Sequence, residues 1–137
     1  MEDKQVSDLL KECLSRRFPL YRDDHTISAR PIVLNRTWVG YRTTKANIPF
    51  GTTHFDLNLE GETCYLLDIE LQKDSRGKGN GRDLYATIEE FALLVGSPWV
   101  QTTPSGWTPA GKTRRDYMRK LGYTDVNEFE VHKRLYS

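Results

Sequence analysis

Between Leu66 and Gly96 the sequence sets a strand, a glycine-rich turn and a helix end to end, and few architectures accept that succession. Tyr65, Leu67, Ile69 and Leu71 alternate with Cys64, Leu66, Asp68, Glu70 and Gln72, which is the period of a strand, and the first set reads as its buried apolar side. The run Lys73 to Gly81 then places Gly77, Gly79 and Gly81 at alternate positions between Arg76 and Arg82. Without Cβ atoms at those positions, successive N–H groups can converge on one point, which suits an anion. From about Asn80, Leu84, Ile88, Phe91 or Ala92, and Val95 recur at helical spacing, with Gly96 as the stop and Pro98 just beyond. The helix would turn its free amides and positive dipole end toward the glycine turn, making a site for a phosphate or pyrophosphate.

Spacing discriminates among the ligands that use such turns. A Walker loop ends in Gly-Lys-Ser/Thr, whereas Gly81 is followed by Arg82 and Asp83. A dinucleotide fingerprint requires Gly-x-Gly-x-x-Gly, and in Gly77-Lys78-Gly79-Asn80-Gly81-Arg82 the third glycine comes one place early. Arg-x-x-Gly-x-Gly does fit, at Arg76, Gly79 and Gly81, and it resembles the coenzyme A pyrophosphate loop of the GNAT superfamily of N-acetyltransferases. The alternative is a surface turn that is merely rich in glycine.

The 137 residues should bury roughly 68% of the surface that the unfolded chain exposes, enough for one core, so residues 1–137 read as a single α/β domain. Twenty basic and 19 acidic residues leave a net charge of +1, which supplies no field to draw the chain onto nucleic acid or an anionic membrane. Cys13 and Cys64 have no metal-ligand spacing and read as packed thiols in a reducing compartment. No apolar run approaches the ~18 residues of a membrane span, and Met1-Glu2-Asp3 is not the start of a signal peptide. The expected location is cytoplasmic, with no membrane partner and no metal.

Taken in order, Val6, Leu9, Leu10, Cys13, Leu14 and Arg17 predict an amphipathic helix over residues 3–17. Phe18 to Asp24 reads as a connector and Thr26 to Leu34 as an edge strand interrupted by Pro31. Strands are expected at Trp38 to Thr44 and at Thr53 to Leu59, the second with Phe55, Leu57 and Leu59 inward and His54, Asp56 and Asn58 on the opposite face. It should pair antiparallel with Thr63 to Gln72 across the Gly61 turn. Trp99 to Thr103 reads as a parallel crossover strand. Thr108 and Pro109 predict the start of a helix that ends at Leu121 and Gly122, and Phe129 to Tyr136 reads as a final strand.

That order is similar to the GNAT acyl-CoA N-acyltransferase fold over almost the whole chain, a mixed, mostly antiparallel sheet with a splayed parallel strand pair and flanking helices. The run Asp116-Tyr117-Met118-Arg119-Lys120-Leu121-Gly122-Tyr123 also looks like that family's helix-to-strand signature. The resemblance implies acetyl-CoA as cofactor. It implies that backbone groups of Ile69, Glu70 and Leu71 hold the pantetheine arm and that amides of Gly77, Lys78, Gly79, Asn80, Gly81 and Arg82, with Arg76, hold the pyrophosphate. The reaction implied is acetyl transfer to a primary amine by direct attack in a ternary complex. An amine with a pKa of about 10.4 must first lose a proton, the Leu71 N–H is the implied donor to the oxyanion, and the departing thiolate needs a proton.

Three positions depart from the family. Leu67 and Gln101 stand where many members carry a carboxylate, and Met118 where many carry the tyrosine that protonates the thiolate. The candidate catalytic residues are therefore Asp68 and Glu70, which strand alternation points away from the Leu67 face unless a bulge re-aims one, and Tyr117. Each has a structural alternative: ion-paired or solvated carboxylates, and a core tyrosine. His54 and His132 read as surface residues of strands, and Lys112, Arg114, Arg115, Arg119 and Lys120 as a solvated basic face or as contacts to phosphates or an acidic acceptor. Three functions stay open: an N-acetyltransferase acting on an amine of a small molecule or protein, with a homodimer admissible; a non-catalytic acyl-CoA-binding or regulatory protein; and a nucleic-acid-binding module, which the charge balance opposes.

Overall fold

The computed structural model describes residues 2–17, 25–33, 36–43, 52–71, 80–104 and 113–136. Along them run α1 (Asp3–Arg17), β1 (His25–Val33), β2 (Arg36–Thr43), β3 (Thr52–Glu60), β4 (Thr63–Leu71), α2 (Asn80–Leu94), β5 (Trp99–Thr102), α3 (Arg114–Lys120), β6 (Thr124–Asp125) and β7 (Val131–Arg134). The strands form one sheet in the order β1-β2-β3-β4-β5-β7-β6. Every neighbouring pair is antiparallel except β4 and β5, which run parallel around the crossover through α2. As expected from Pro31, β1 lies at an edge and its register slips between Pro31 and Val33, where a residue without an N–H cannot serve the ladder.

The helices follow the apolar periodicity. Val6, Leu10, Cys13 and Leu14 of α1 and Leu84, Ile88, Phe91 and Ala92 of α2 are buried in one cluster with Phe55, Leu57, Leu66, Val100 and Val131 of the sheet. Arg16 and Arg17, at the end of α1, both reach Glu90 of α2. Both later helices end on a glycine with positive φ, Gly96 at 84° and Gly122 at 97°. After α2 the Gly96 amide donates to Leu93 O and the Ser97 amide to Ala92 O at 2.8 Å. After α3 the Gly122 amide donates to Arg119 O and the Tyr123 amide to Met118 O, so both stops are paired reverse hydrogen bonds that only a left-handed residue allows.

Three expectations change. Residues directly opposite in an antiparallel pair share a face, and Leu57 pairs with Leu66 and Leu59 with Cys64. The buried side of β4 therefore begins with Cys64 and Leu66, while Leu67 is 40% exposed. The partner strand decides, because Leu57 is fully buried and carries Leu66, opposite it, inward. A bulge then resets the alternation: Asp56 pairs with Leu67 but His54 with Glu70, so β4 holds one residue more than β3 across this span. Past the bulge Ile69 packs against the core.

The described part of the last helix starts at Arg114 rather than at Pro109, which lies outside the described residues. Thr113 caps it by accepting the Asp116 amide at 3.1 Å. The final strand is shorter than Phe129 to Tyr136. Asn127 Oδ1 accepts the amides of Phe129 and Glu130 at 2.8 and 2.9 Å, turning the chain there and leaving Phe129 64% exposed. Among the described residues no helix is long and apolar enough to cross a membrane.

Candidate active site

The parallel ladder is short. Its pairs run from Thr63 with Trp99 to Leu66 with Thr102, whereas β4 continues to Leu71. Beyond Thr102 come Thr103 and Pro104, and Pro104 has no N–H to extend the pairing. Instead the Thr102 hydroxyl donates to the Leu66 carbonyl at 3.1 Å, closing the ladder at its last pair. The two strands part from there, and a cleft of about 530 Å³ opens between them. Leu66, Leu67 and Ile69 form its apolar wall, Thr102, Thr103 and Pro104 line the β5 side, and Tyr85 of α2 and Arg114 of α3 complete it.

Tyr85 follows Leu84 on the buried side of α2 and is 2% exposed. A phenol there needs a partner, and Arg114 in the first turn of α3 supplies one, donating from a guanidinium nitrogen to the Tyr85 oxygen at 3.1 Å. Burial raises the Tyr85 pKa above its ordinary value, with Arg114 pulling the other way, so the phenol keeps its proton at neutral pH. No sequence pattern joins these two residues. The available signal was a tyrosine on the core side of an amphipathic helix, a position that demands a polar partner from elsewhere in the chain.

The candidate catalytic residues take separate places. Tyr117 is half-buried behind Tyr85, ring centroids 6.3 Å apart at 52°, rather than in the cleft lining. Burial and then Tyr85 raise its pKa. Met118, where the resemblance expects a tyrosine, is fully buried in the core. Asp68 falls within the bulge of β4, and Glu70 pairs with His54 just beyond it. Gln101 of β5 donates to Glu130 at 2.6 Å.

The candidate cofactor residues divide in the same way. Ile69, Glu70 and Leu71 end β4, with Ile69 lining the cleft, and Asn80, Gly81 and Arg82 open α2. Arg76, Gly77, Lys78 and Gly79 lie outside the described residues. The first turn of α2 carries backbone donors without helical acceptors, and Arg82 beside them is exposed, 3.6 Å from Asp83. The basic run is largely committed within the protein: Arg114 to Tyr85, Arg115 to Asp125 and the carbonyls of Asn127 and Glu128, Arg119 to Asp116 and Asp125. Lys112 lies outside the described residues. His132 stacks on Trp99 at 4.4 Å, and no described cluster of His, Cys, Asp and Glu could hold a metal.

No family model matches the sequence, and no curated protein is significantly similar to it. Solved structures do share its architecture. An acetyltransferase from Bacillus cereus superposes with a TM-score of 0.54 at 11% identity, over 98% of this chain and 94% of the other. Nourseothricin acetyltransferase gives 0.53 at 13% identity over 85% and 87%. The PaiA N-acetyltransferase from Thermoplasma acidophilum, solved in complex with coenzyme A, gives 0.51 at 17% identity over 73% of this chain and 61% of its own. With its 1-2-3-4-5-7-6 sheet and parted parallel strands, this chain has the fold of the GNAT superfamily of N-acetyltransferases.

Proposed function

We propose that the protein is an N-acetyltransferase that moves the acetyl group of acetyl-CoA to a primary amine by direct attack in a ternary complex. The parting of β4 from β5 after Leu66 and Thr102 carries this reading. It leaves one edge of Ile69 to Leu71 without a strand partner among the described residues, and it opens a cleft with an apolar wall on one side and hydroxyl and guanidinium donors on the other. An extended amide-bearing arm ending in a thioester fits such a cleft, because its amides can take the place of the missing strand. The likeness to a structure solved with coenzyme A supports the choice of donor.

In this reading the backbone of Ile69, Glu70 and Leu71 holds the arm and the Leu71 N–H faces the oxygen that gains charge. Amides from Gly77 to Arg82, with the side chain of Arg76, hold the pyrophosphate at the start of α2. Bound acetyl-CoA supplies an activated acyl carbon. The chain has to accept the proton of the attacking amine, for which Asp68 and Glu70, at the end of β4, are the candidates. The buried free thiols of Cys13 and Cys64 support a reducing, cytoplasmic setting. The acceptor is an amine of a small molecule or of a protein.

Calorimetric titration with acetyl-CoA tests the donor. Wild type should bind, Gly79→Asp should bind several-fold more weakly or not at all, and Thr103→Trp, which puts an indole into the cleft, should do the same. A thiol-release assay across a panel of amines then tests transfer. Equal affinity in wild type and both variants would overturn the proposal.

A further inference from the structure

The cleft has an acid of its own, and it belongs to neither strand. Of the described side chains that line it, Tyr85 carries the one acidic proton and Arg114 the one positive charge, and the two are hydrogen-bonded at 3.1 Å. Thr102 has its hydroxyl proton engaged on the Leu66 carbonyl. Met118 and Tyr117, on the helix where an acid is otherwise expected, are respectively fully buried and set behind Tyr85.

The direction of the Arg114 bond matters. A guanidinium has no lone pair to offer and can only donate, so it occupies a lone pair of the Tyr85 oxygen, and no acceptor among the described residues takes the phenolic hydrogen. The same cation also stabilises whatever negative charge that oxygen takes on. We infer that Tyr85 and Arg114 act together on the thioester sulfur, Tyr85 as the proton donor to the departing thiolate and Arg114 as the group that aims the phenol and shields its charge. This inference rests on the acetyltransferase reading and adds the leaving-group half of the reaction.

The step balances without any further reagent. The amine nitrogen forms a bond to the acyl carbon, the carbon–sulfur bond breaks, and its electron pair goes to sulfur. Sulfur takes the Tyr85 proton and leaves as the free thiol. The phenolate, held by Arg114, recovers a proton from the one that the new amide nitrogen sheds, passed through water. Proton donation of this kind is worth about 10²–10⁴-fold in rate.

Binding of coenzyme A and of its desulfo analogue, measured by calorimetry, isolates the sulfur contact from turnover. Wild type should prefer coenzyme A several-fold. Y85F should lose most of that preference, R114Q should lose it entirely, and R114K should retain part. In turnover, Y85F should lower kcat about 100-fold with little change in KM for acetyl-CoA. A wild type that binds and acetylates but shows no preference for the sulfur, or variants that keep the wild-type preference, would overturn this inference alone. Absence of any coenzyme A binding by wild type would overturn the acetyltransferase reading and this inference with it. Y85F removes one oxygen and keeps the ring, so circular dichroism should show the wild-type fold.

Discussion

Glu89 ties α2 to β7 and to the chain just after α3, and Glu89→Ala is the perturbation with the clearest expected magnitude. Its carboxylate sits on α2, one helical turn after Tyr85, and its side chain is 16% exposed. One oxygen accepts Lys133 Nζ of β7 at 2.8 Å and the other accepts the Tyr123 hydroxyl at 3.1 Å. Removing one partner of a fully buried ion pair costs about 3–5 kcal/mol, whereas an exposed pair is worth about 0–1 kcal/mol. Lys133, at 28% exposure, can recover part of its hydration, which places the charge contribution at about 2 kcal/mol. Tyr123 is 2% exposed and loses its acceptor, adding about 1 kcal/mol. The sum of about 3 kcal/mol corresponds to a fall in Tm of about 10 °C for a domain of this size. Thermal and urea unfolding of Glu89→Ala, Lys133→Ala and the double variant would show a coupling of about 1–2 kcal/mol. A loss below about 0.5 kcal/mol in Glu89→Ala would refute the reasoning, since it would mean that both partners find water without cost.

Three further outcomes follow from the packing and backbone geometry. Alanine at Gly61, Gly96 and Gly122 should destabilise in that order in chemical unfolding: φ rises from 59° through 84° to 97°, and a Cβ at Gly122 alone meets a neighbour, 3.3 Å from Lys133 Cε, so a Gly61→Ala loss equal to Gly122→Ala would contradict it. Asp125 is held below the ordinary carboxylate range, first by its hydrogen bond from Arg119 and then by the charges of Arg119 and Arg115, so its stabilising contribution is present above the unfolded-state pKa and is lost as pH falls through the lower folded value. Asp125→Asn should therefore lower Tm at neutral pH and converge on wild type in acid; a pH-independent gap would refute this. Cys64, whose thiol burial pushes up to about 12, and the buried Cys13 should both resist alkylation in the native protein and react on unfolding, and rapid native labelling of either would contradict their placement.

What could be read from the sequence was whatever one segment settles by itself. The span of α1, the core positions Leu84, Ile88, Phe91 and Ala92 of α2, and the stops at Gly96 and Gly122 all depend on periodicity and backbone conformation within a single turn or two. The crossover that makes β4 and β5 parallel was legible too, because a strand, helix and strand in one sheet allow little else. The buried face of β4 was not, since Cys64 and Leu66 are as apolar as Tyr65 and Leu67 and the choice is made by β3. The bulge that shifts the register of β4 exists only as a mismatch between two strands. The Tyr85–Arg114 bond joins residues 29 positions apart, so neither local pattern contains it.

The break in the ladder also explains why the cleft has the chemistry it has. Strands β1 to β4 and strands β5, β7 and β6 meet in four parallel pairs, from Thr63 with Trp99 to Leu66 with Thr102. Continuity beneath them comes from the core, where Leu66, Ile88, Phe91 and Val100 lie in one buried cluster, so the sheet can part above without the halves separating. Parting leaves backbone donors and acceptors on the cleft side of Ile69 to Leu71, and dry burial of each would cost roughly 1–3 kcal/mol. Water can satisfy them, as can an extended ligand with amides of its own; an apolar ligand cannot. The apolar wall of Leu66, Leu67 and Ile69 disfavours a fully hydrated one. A chain of methylenes punctuated by amides meets both demands, and it would end beside the one phenol and one guanidinium that the described lining offers. Substituting Thr103 by Trp should therefore weaken acetyl-CoA binding several-fold or abolish it while leaving Tm within about 2 °C of wild type, because Thr103 is exposed and the core beneath it is untouched. Retained binding in a folded Thr103→Trp protein would mean that the ligand lies elsewhere than between the parted strands.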